Sequence, residues 1–550
     1  MRNLSNEIKA YALKNALEFG KAEPSRILPK LFQHGLEKSE IKSIMPEIIK
    51  NVREINSLSG EEQKNLFFQY EKYAKVHEEK ERELSELPNV SGKTVFRIAP
   101  FPSGALHIGN AKTFLLNALY AEKYDGKILL VMDDTIGSQE KPLSRESYKL
   151  IEEALEWLDV KYAKPVIYKS DRLEIYYKYA IELIKKNKAY VCHCSQKILH
   201  NNREKGIDCA CRDVSASEQL ERWKKMFKAK EGAATLRIKT SMQHPNPAFR
   251  DRVLFKISDR KHPRAGKKYR VWPALEMSWA IDDYLLNVTH VIRGSELQIE
   301  TDMEKYIWDI FGWRHSEVIH TGLVSLEGTG AKISKSKSQR EVKSGKFFGW
   351  DDPRTWSIQS LKKRGIKKEA IREFVKEIGL NKQNITAPVE SLYAINRKII
   401  DSSANRYSFV YSPVELKVKN RPDIKSVKVQ VHPDKKETRT LDAGRIYISK
   451  PDFDKLRGKE ARLIHLYNVK FDKIGARFVS LENKDIPKIN WVSDGVNTEV
   501  LMPDGSRVKG IAESSIERLK NSEIIQFERF GFVAFNKKRG KTYEFWFAHK

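Results

Sequence analysis

The chain is 550 residues long with 40% hydrophobic residues, enough for several packed cores and about three or four domains. No run of about 20 apolar residues is present to span a bilayer, and the opening MRNLSNEIKAYALKN lacks the apolar segment of an export signal, so a cytoplasmic setting with no membrane partner is expected. A net charge of +28 favours a polyanionic partner; about +12 of it lies in residues 391–550, so the basic character is spread out and suits a partner as long as a structured RNA.

Residues 1–87 carry apolar positions spaced near 3.6 among many charges and read as a helical N-terminal region. A cluster of Pro, Asn, Ser and Gly in LPNVSGKT marks a boundary. From residue 88 to 190 strands and helices alternate: KTVFRIA, a helix over 111–124, KILLVMDDT, the helix SRESYKLIEEALEWLDV, PVIYKS and another helix. That alternation predicts the first half of a doubly wound parallel, Rossmann-type α/β sheet, with ligands at the carboxyl ends of its strands.

Within that half, RIAPFPSGALHIGNAK runs a strand through small residues directly into a helix. Such a turn leaves unpaired N–H groups at a positive helix end, which suits a phosphate, with the imidazole of His107 placed to touch it.

Residues 191–265 break the alternation and read as an insertion. They hold all four cysteines, Cys192, Cys194, Cys209 and Cys211, in the pattern CxC–x14–CxC. Four thiolates closing a tetrahedron suit a structural Zn²⁺, with His193 as an alternative ligand. The second half of the α/β domain is expected over 266–340, ending in GTGAKISKSKSQR, a Gly-rich loop whose Lys332 and Lys335 interleave with Ser334 and Ser336. A phosphate cradle after the first strand and a basic loop after the last can clamp a triphosphate from both sides. Residues 341–390 read as a helical connecting domain, and 391–550 as all-β, one or two barrels with period-two strands and Asp-Gly turns. Aromatics alternating with basic residues, as in RFGFVAFNKKR, offer stacking faces to RNA bases and are equally suited to a barrel core.

ALHIGN resembles the HIGH signature and KISKS the KMSKS signature of class I aminoacyl-tRNA synthetases. With RIAPFPSG, MDDT, VTHVIRG and DDPRTW, the whole chain is similar to glutamyl-tRNA synthetases of the archaeal and eukaryotic branch. The resemblance implies activation of L-glutamate with ATP and Mg²⁺ to glutamyl-adenylate, then transfer to the terminal adenosine of tRNA(Glu) by a monomer, with anticodon-reading barrels. It implies catalytic roles for His107, Lys335 and Lys332, and ATP contacts from Pro100, Gly104, His107, Gly109, Asn110, Lys332, Ser334 and Lys335. Arg97, Asp133 and Arg293 are implied to hold the glutamate, Arg293 through its side-chain carboxylate. The chain departs from the family pattern at Leu275, where a Tyr is common, at Trp279 one turn on, and at Val131. These departures predict a pocket rebuilt around Glu276 or Trp279. Charging of tRNA(Gln) as well, a glutaminyl ligase, a nucleotidyltransferase sharing only the first motif, and an inactive tRNA-binding paralogue are the alternatives.

Overall fold

The computed structural model describes residues 4–74, 83–136, 142–328, 335–493 and 495–550. The chain divides into two compact units, Met1–Arg82 and Glu83–Lys550. The first is a helical bundle built from Ser5–Phe19, Pro24–Leu31, Ile41–Asn56 and Gly60–Tyr70, closed around Ile8, Leu13, Ile27, Leu31, Ile48 and Ile55. Ser59 and Glu62 form a reciprocal capping box at the start of its last long helix.

The second unit opens with five parallel strands. Across the sheet they run Ala163–Tyr168, Lys127–Met132, Val95–Ile98, His290–Gly294 and Glu317–Thr321. KILLVM is apolar at nearly every position because helices cover both faces of the sheet. The chain order reverses direction between Val95–Ile98 and His290–Gly294, so the crevice beyond these two strands is the topological switch point.

Between the two halves sits an antiparallel sheet, Ala189–Cys192, Thr235–Ile238, Val253–Ile257 and Val271–Pro273, with the helices Gln196–Lys205 and Ala216–Met226. Beyond the fifth strand come the helices Lys335–Lys343, Ile358–Lys363 and Lys368–Ile378. The remainder is β-rich, with a seven-stranded and a five-stranded sheet that enclose separate cores.

Three local readings change. The apolar run SEVIHTGLVSL reads as one strand in the sequence but is two, Glu317–Thr321 and Val324–Glu327, broken at Gly322, where a Cβ would stand 1.9 Å from the Gln383 carbonyl oxygen. The stretch 351–390 is not wholly helical, because Ile385–Pro388 pairs in parallel with Val324–Glu327. The helix Val389–Ile400 runs past the point where period-two strands were expected, and the first strand of the β region starts at Arg406. Each difference comes from a partner some 60 residues away or from packing that a local pattern does not encode.

Candidate functional site

The first strand ends at Ile98 and the following helix, Ile108–Lys123, begins at an extended His107 (φ −103°, ψ 165°). His107 is the N-cap: its Nδ1 accepts from the Asn110 N–H at 3.4 Å, and its carbonyl accepts from the same N–H at 2.9 Å. The Asn110 N–H is therefore committed to the cap. The turn is anchored on both sides. Pro100 O accepts from Asp133 N (3.0 Å), and Leu106 O accepts from Ile358 N (2.8 Å). Gly104 has a packing reason to be glycine, since a Cβ there would lie 2.3 Å from the Trp350 ring.

A cavity of about 950 Å³ opens at the switch point. Pro100, His107 and Asn110 line it, and so does Ser336, in the first turn of the helix Lys335–Lys343. The turn before the helix Ile108–Lys123 and the first turn of the helix Lys335–Lys343 thus share one crevice. Gly104 and Gly109 are not part of its wall. Lys332 and Ser334 lie outside the described residues, as does the side chain of Lys335. Lys112, on the same helix as the cap, is buried and donates to Thr321 Oγ1 and the Gly322 carbonyl, both at 2.7 Å. This ties the helix start to the end of the fifth strand, and burial pushes its ammonium down to about 8.

Arg97, Asp133 and Arg293 all line the same cavity, and each is already paired within the chain. Arg97 meets Asp283 through Nε and Nη2, the latter at 2.9 Å. Asp133 Oδ1 lies 3.0 Å from the Lys169 ammonium, which also donates to Ser278 Oγ at 2.8 Å. Arg293 grips Glu304 through both Nη atoms (2.8 and 3.0 Å) and donates twice to Thr301 Oγ1. A guanidinium has five N–H groups. Asp283 takes two of those on Arg97, leaving three; Glu304 and Thr301 take four of those on Arg293, leaving one. Asp283, Lys169 and Glu304 are fully buried counter-charges without which three cavity-facing charges would be unpaired. Burial pulls Lys169 below the ordinary lysine range while Asp133 opposes that pull.

These counter-charges were missed by sequence reasoning. Asp283 stood in plain view in AIDDYLL, but its pairing with Arg97 spans 186 residues and has no local signal. Glu304 sits 11 residues after Arg293, on the next helix, where it reads as one charge among many. Glu276, with Glu300, holds Arg252 at the cavity wall, and the Trp279 indole lies in the wall itself. Leu275 also lines the cavity, while Val131 is buried in the second strand.

The four cysteine ligand atoms lie within 4.8 Å of one another, with Cys192 Sγ and Cys194 Sγ 3.6 and 3.3 Å from Cys209 Sγ. Four converging sulfurs from the end of one strand and a tight turn fit a tetrahedral ion such as Zn²⁺. The fully buried Arg237 places Nη1 3.8 Å from Cys192 Sγ, a cation suited to a cluster of thiolates. His193 is exposed and lies against the Ala233 carbonyl, outside this group.

A parallel sheet with a HIGH-like turn at its switch point, a KMSKS-like segment after its last strand and β domains beyond is the architecture of a class I aminoacyl-tRNA synthetase. The family described as "tRNA synthetases class I (E and Q), catalytic domain" matches residues 93–402, and its two anticodon-binding domains match 404–486 and 477–536. The chain belongs to this class I family of synthetases for glutamate (E) and glutamine (Q). It is 43% identical to a glutamate–tRNA ligase of Pyrococcus abyssi and 42% identical to one of Pyrococcus furiosus, covering 98% of both chains each time. A glutamate–tRNA ligase of Methanocaldococcus jannaschii is 38% identical over the full length of both chains. Among the described residues no helix is long and apolar enough to cross a membrane.

Proposed function

We propose that the chain is a glutamate–tRNA ligase: it activates glutamate with ATP and transfers the acyl group to tRNA(Glu). The observation that carries the reading is the shared crevice. The His107 cap, Ser336 of the lysine loop, and Arg97, Asp133 and Arg293 all face one cavity at the switch point. In the first step an α-carboxylate oxygen of glutamate attacks the α-phosphorus of ATP, and pyrophosphate leaves with the electron pair of the broken P–O bond. In the second, a hydroxyl of the terminal adenosine of the tRNA, the 2′-hydroxyl in this class, attacks the acyl carbon and AMP departs.

The chain's contribution is positioning and charge stabilisation. His107 and the helix start steady the phosphates, and Lys335 with Lys332 follows the negative charge as it moves to pyrophosphate. Pro100 shapes the adenosine and phosphate side, with Ser334 beside the lysines. Arg97 and Asp133 hold the α-carboxylate and ammonium, and the uncommitted N–H of Arg293 reads the side-chain carboxylate. Mg²⁺ entering with ATP supplies further neutralisation at the phosphates. Cys192, Cys194, Cys209 and Cys211 hold a structural Zn²⁺ that fixes the insertion. The proposed setting is the cytoplasm and the working unit a monomer.

ATP–pyrophosphate exchange by the purified chain is expected with glutamate and tRNA present and to be near background with glutamine. Exchange that ignores both amino acid and tRNA would refute the reading. Replacing His107 by Asn keeps an N-cap and removes the imidazole, so adenylate formation should fall about 10²–10³-fold with tRNA binding retained. Lys335→Ala should fall in the same range, and unchanged rates in both variants would remove these residues from the mechanism.

A further inference from the structure

Trp279 lies in the helix Leu275–Leu285, 5% exposed, at the cavity wall. Three cations from three other elements surround its ring: Arg97 Cζ at 5.1 Å, Lys169 Nζ at 5.0 Å and Arg293 Cζ at 5.0 Å from the centroid. Each of them meets a different buried carboxylate: Asp283, Asp133 and Glu304. The result is a ring of three ion pairs around one indole. Arg97 comes from the first strand, Arg293 from the fourth and Lys169 from the turn after the third, so the indole joins both halves of the sheet at the switch point.

We propose that Trp279 is a positioning residue for amino-acid selection, holding Arg97 and Arg293 between their internal carboxylates and the substrate. This rests on the glutamate reading above. The competition is electrostatic. Each arginine has an internal partner that would draw it fully away from the cavity, and the three cations repel one another. The indole face attracts all three, which keeps them gathered at the wall with N–H groups left over for a ligand bearing two carboxylates. Lys169 adds a second effect. Its ammonium occupies one oxygen of Asp133, so the substrate ammonium must share that carboxylate, and the ring contact limits how completely Lys169 claims it. An aliphatic side chain in this place offers no attraction to any of the three.

The test uses the full chain in exchange assays with tRNA and ATP, comparing wild type, Trp279→Leu and Trp279→Phe. Trp279→Leu is expected to raise KM for glutamate on the order of tenfold, leave kcat within about threefold and KM for ATP within about twofold, and erode the preference for glutamate over glutamine. Trp279→Phe keeps an aromatic face of weaker attraction, so its glutamate KM should rise only about two- to fivefold. If Trp279→Leu does not fold, that two- to fivefold rise alone decides the matter. Wild-type glutamate KM and selectivity in either folded variant, or equal losses in Phe and Leu, would overturn the inference. A purely structural role would lower thermal stability without splitting KM for glutamate from KM for ATP. Wild-type protein that fails to use glutamate would instead remove the functional reading itself, and the inference with it.

Discussion

Arg97 shows how a cavity-facing charge is held in a dry site. Its guanidinium is 3% exposed and faces the fully buried Asp283 across two bonds. Removing one member of such a pair leaves the other charged and unsolvated. Arg97→Met should therefore cost about 3–5 kcal/mol of stability in urea unfolding, while Arg97→Met combined with Asp283→Leu should recover most of it. A double variant no more stable than the single one would show that the pair is not what holds this corner. In the sequence Arg97 was visible as a candidate through RIAP, and so was Asp133 through MDDT. Their partners were not, because Asp283 and Lys169 reach them only once the sheet and its helices have packed.

Among the elements, the insertion depends most on a few atoms. Cys192 ends one strand, Cys194 lies two residues on, Cys209 caps a short turn and Cys211 lies within it. Below these residues the sheet is ordinary antiparallel pairing, Ala189–Cys192 with Thr235–Ile238. With zinc bound, the four thiolates hold strand and turn together, so Cys209→Ser should reduce bound zinc from about one equivalent to near none, read by metal analysis. The same variant should open the insertion to protease before the parallel sheet. Equal zinc content in variant and wild type would end the assignment. Clustering of all four cysteines in twenty residues made this element legible in the sequence, whereas the strand Ile385–Pro388 was not. Its four residues look unremarkable alone and are a strand only because Val324–Glu327 offers an edge.

At the scale of the whole second unit, the last strand is seated on the connecting helices. His549 is 1% exposed, its Nε2 pairs with Asn396 Nδ2 at 2.9 Å and its ring stacks on Tyr393. Arg364 donates to the carbonyls of Phe547 and Ala548 beside it. Burial pushes the His549 imidazole down to about 4, with Arg397 and Arg364 adding to that fall. The folded protein therefore keeps this ring neutral while the unfolded chain protonates it below its ordinary value of 6.5. The stability it contributes is complete above pH 6.5 and is lost as pH falls towards 4, by at most about 3 kcal/mol. Urea midpoints followed from pH 7 to 4 should decline more steeply for wild type than for His549→Gln, which keeps an acceptor for Asn396 and does not titrate. Equal slopes would assign the acid sensitivity elsewhere.

Strand–helix alternation, the HIGH-like and KMSKS-like motifs, the cysteine spacing and the basic charge are local or compositional, so the sequence by itself determined the fold class and the family and marked the turn that lines the crevice. Pairing is not local. The counter-charges that hold Arg97, Asp133 and Arg293, the indole that gathers their cations, and the strand that closes on Val324–Glu327 join segments up to about 190 residues apart. Only the tertiary structure decided those, because a buried charge takes whichever opposite charge the packed chain brings within reach.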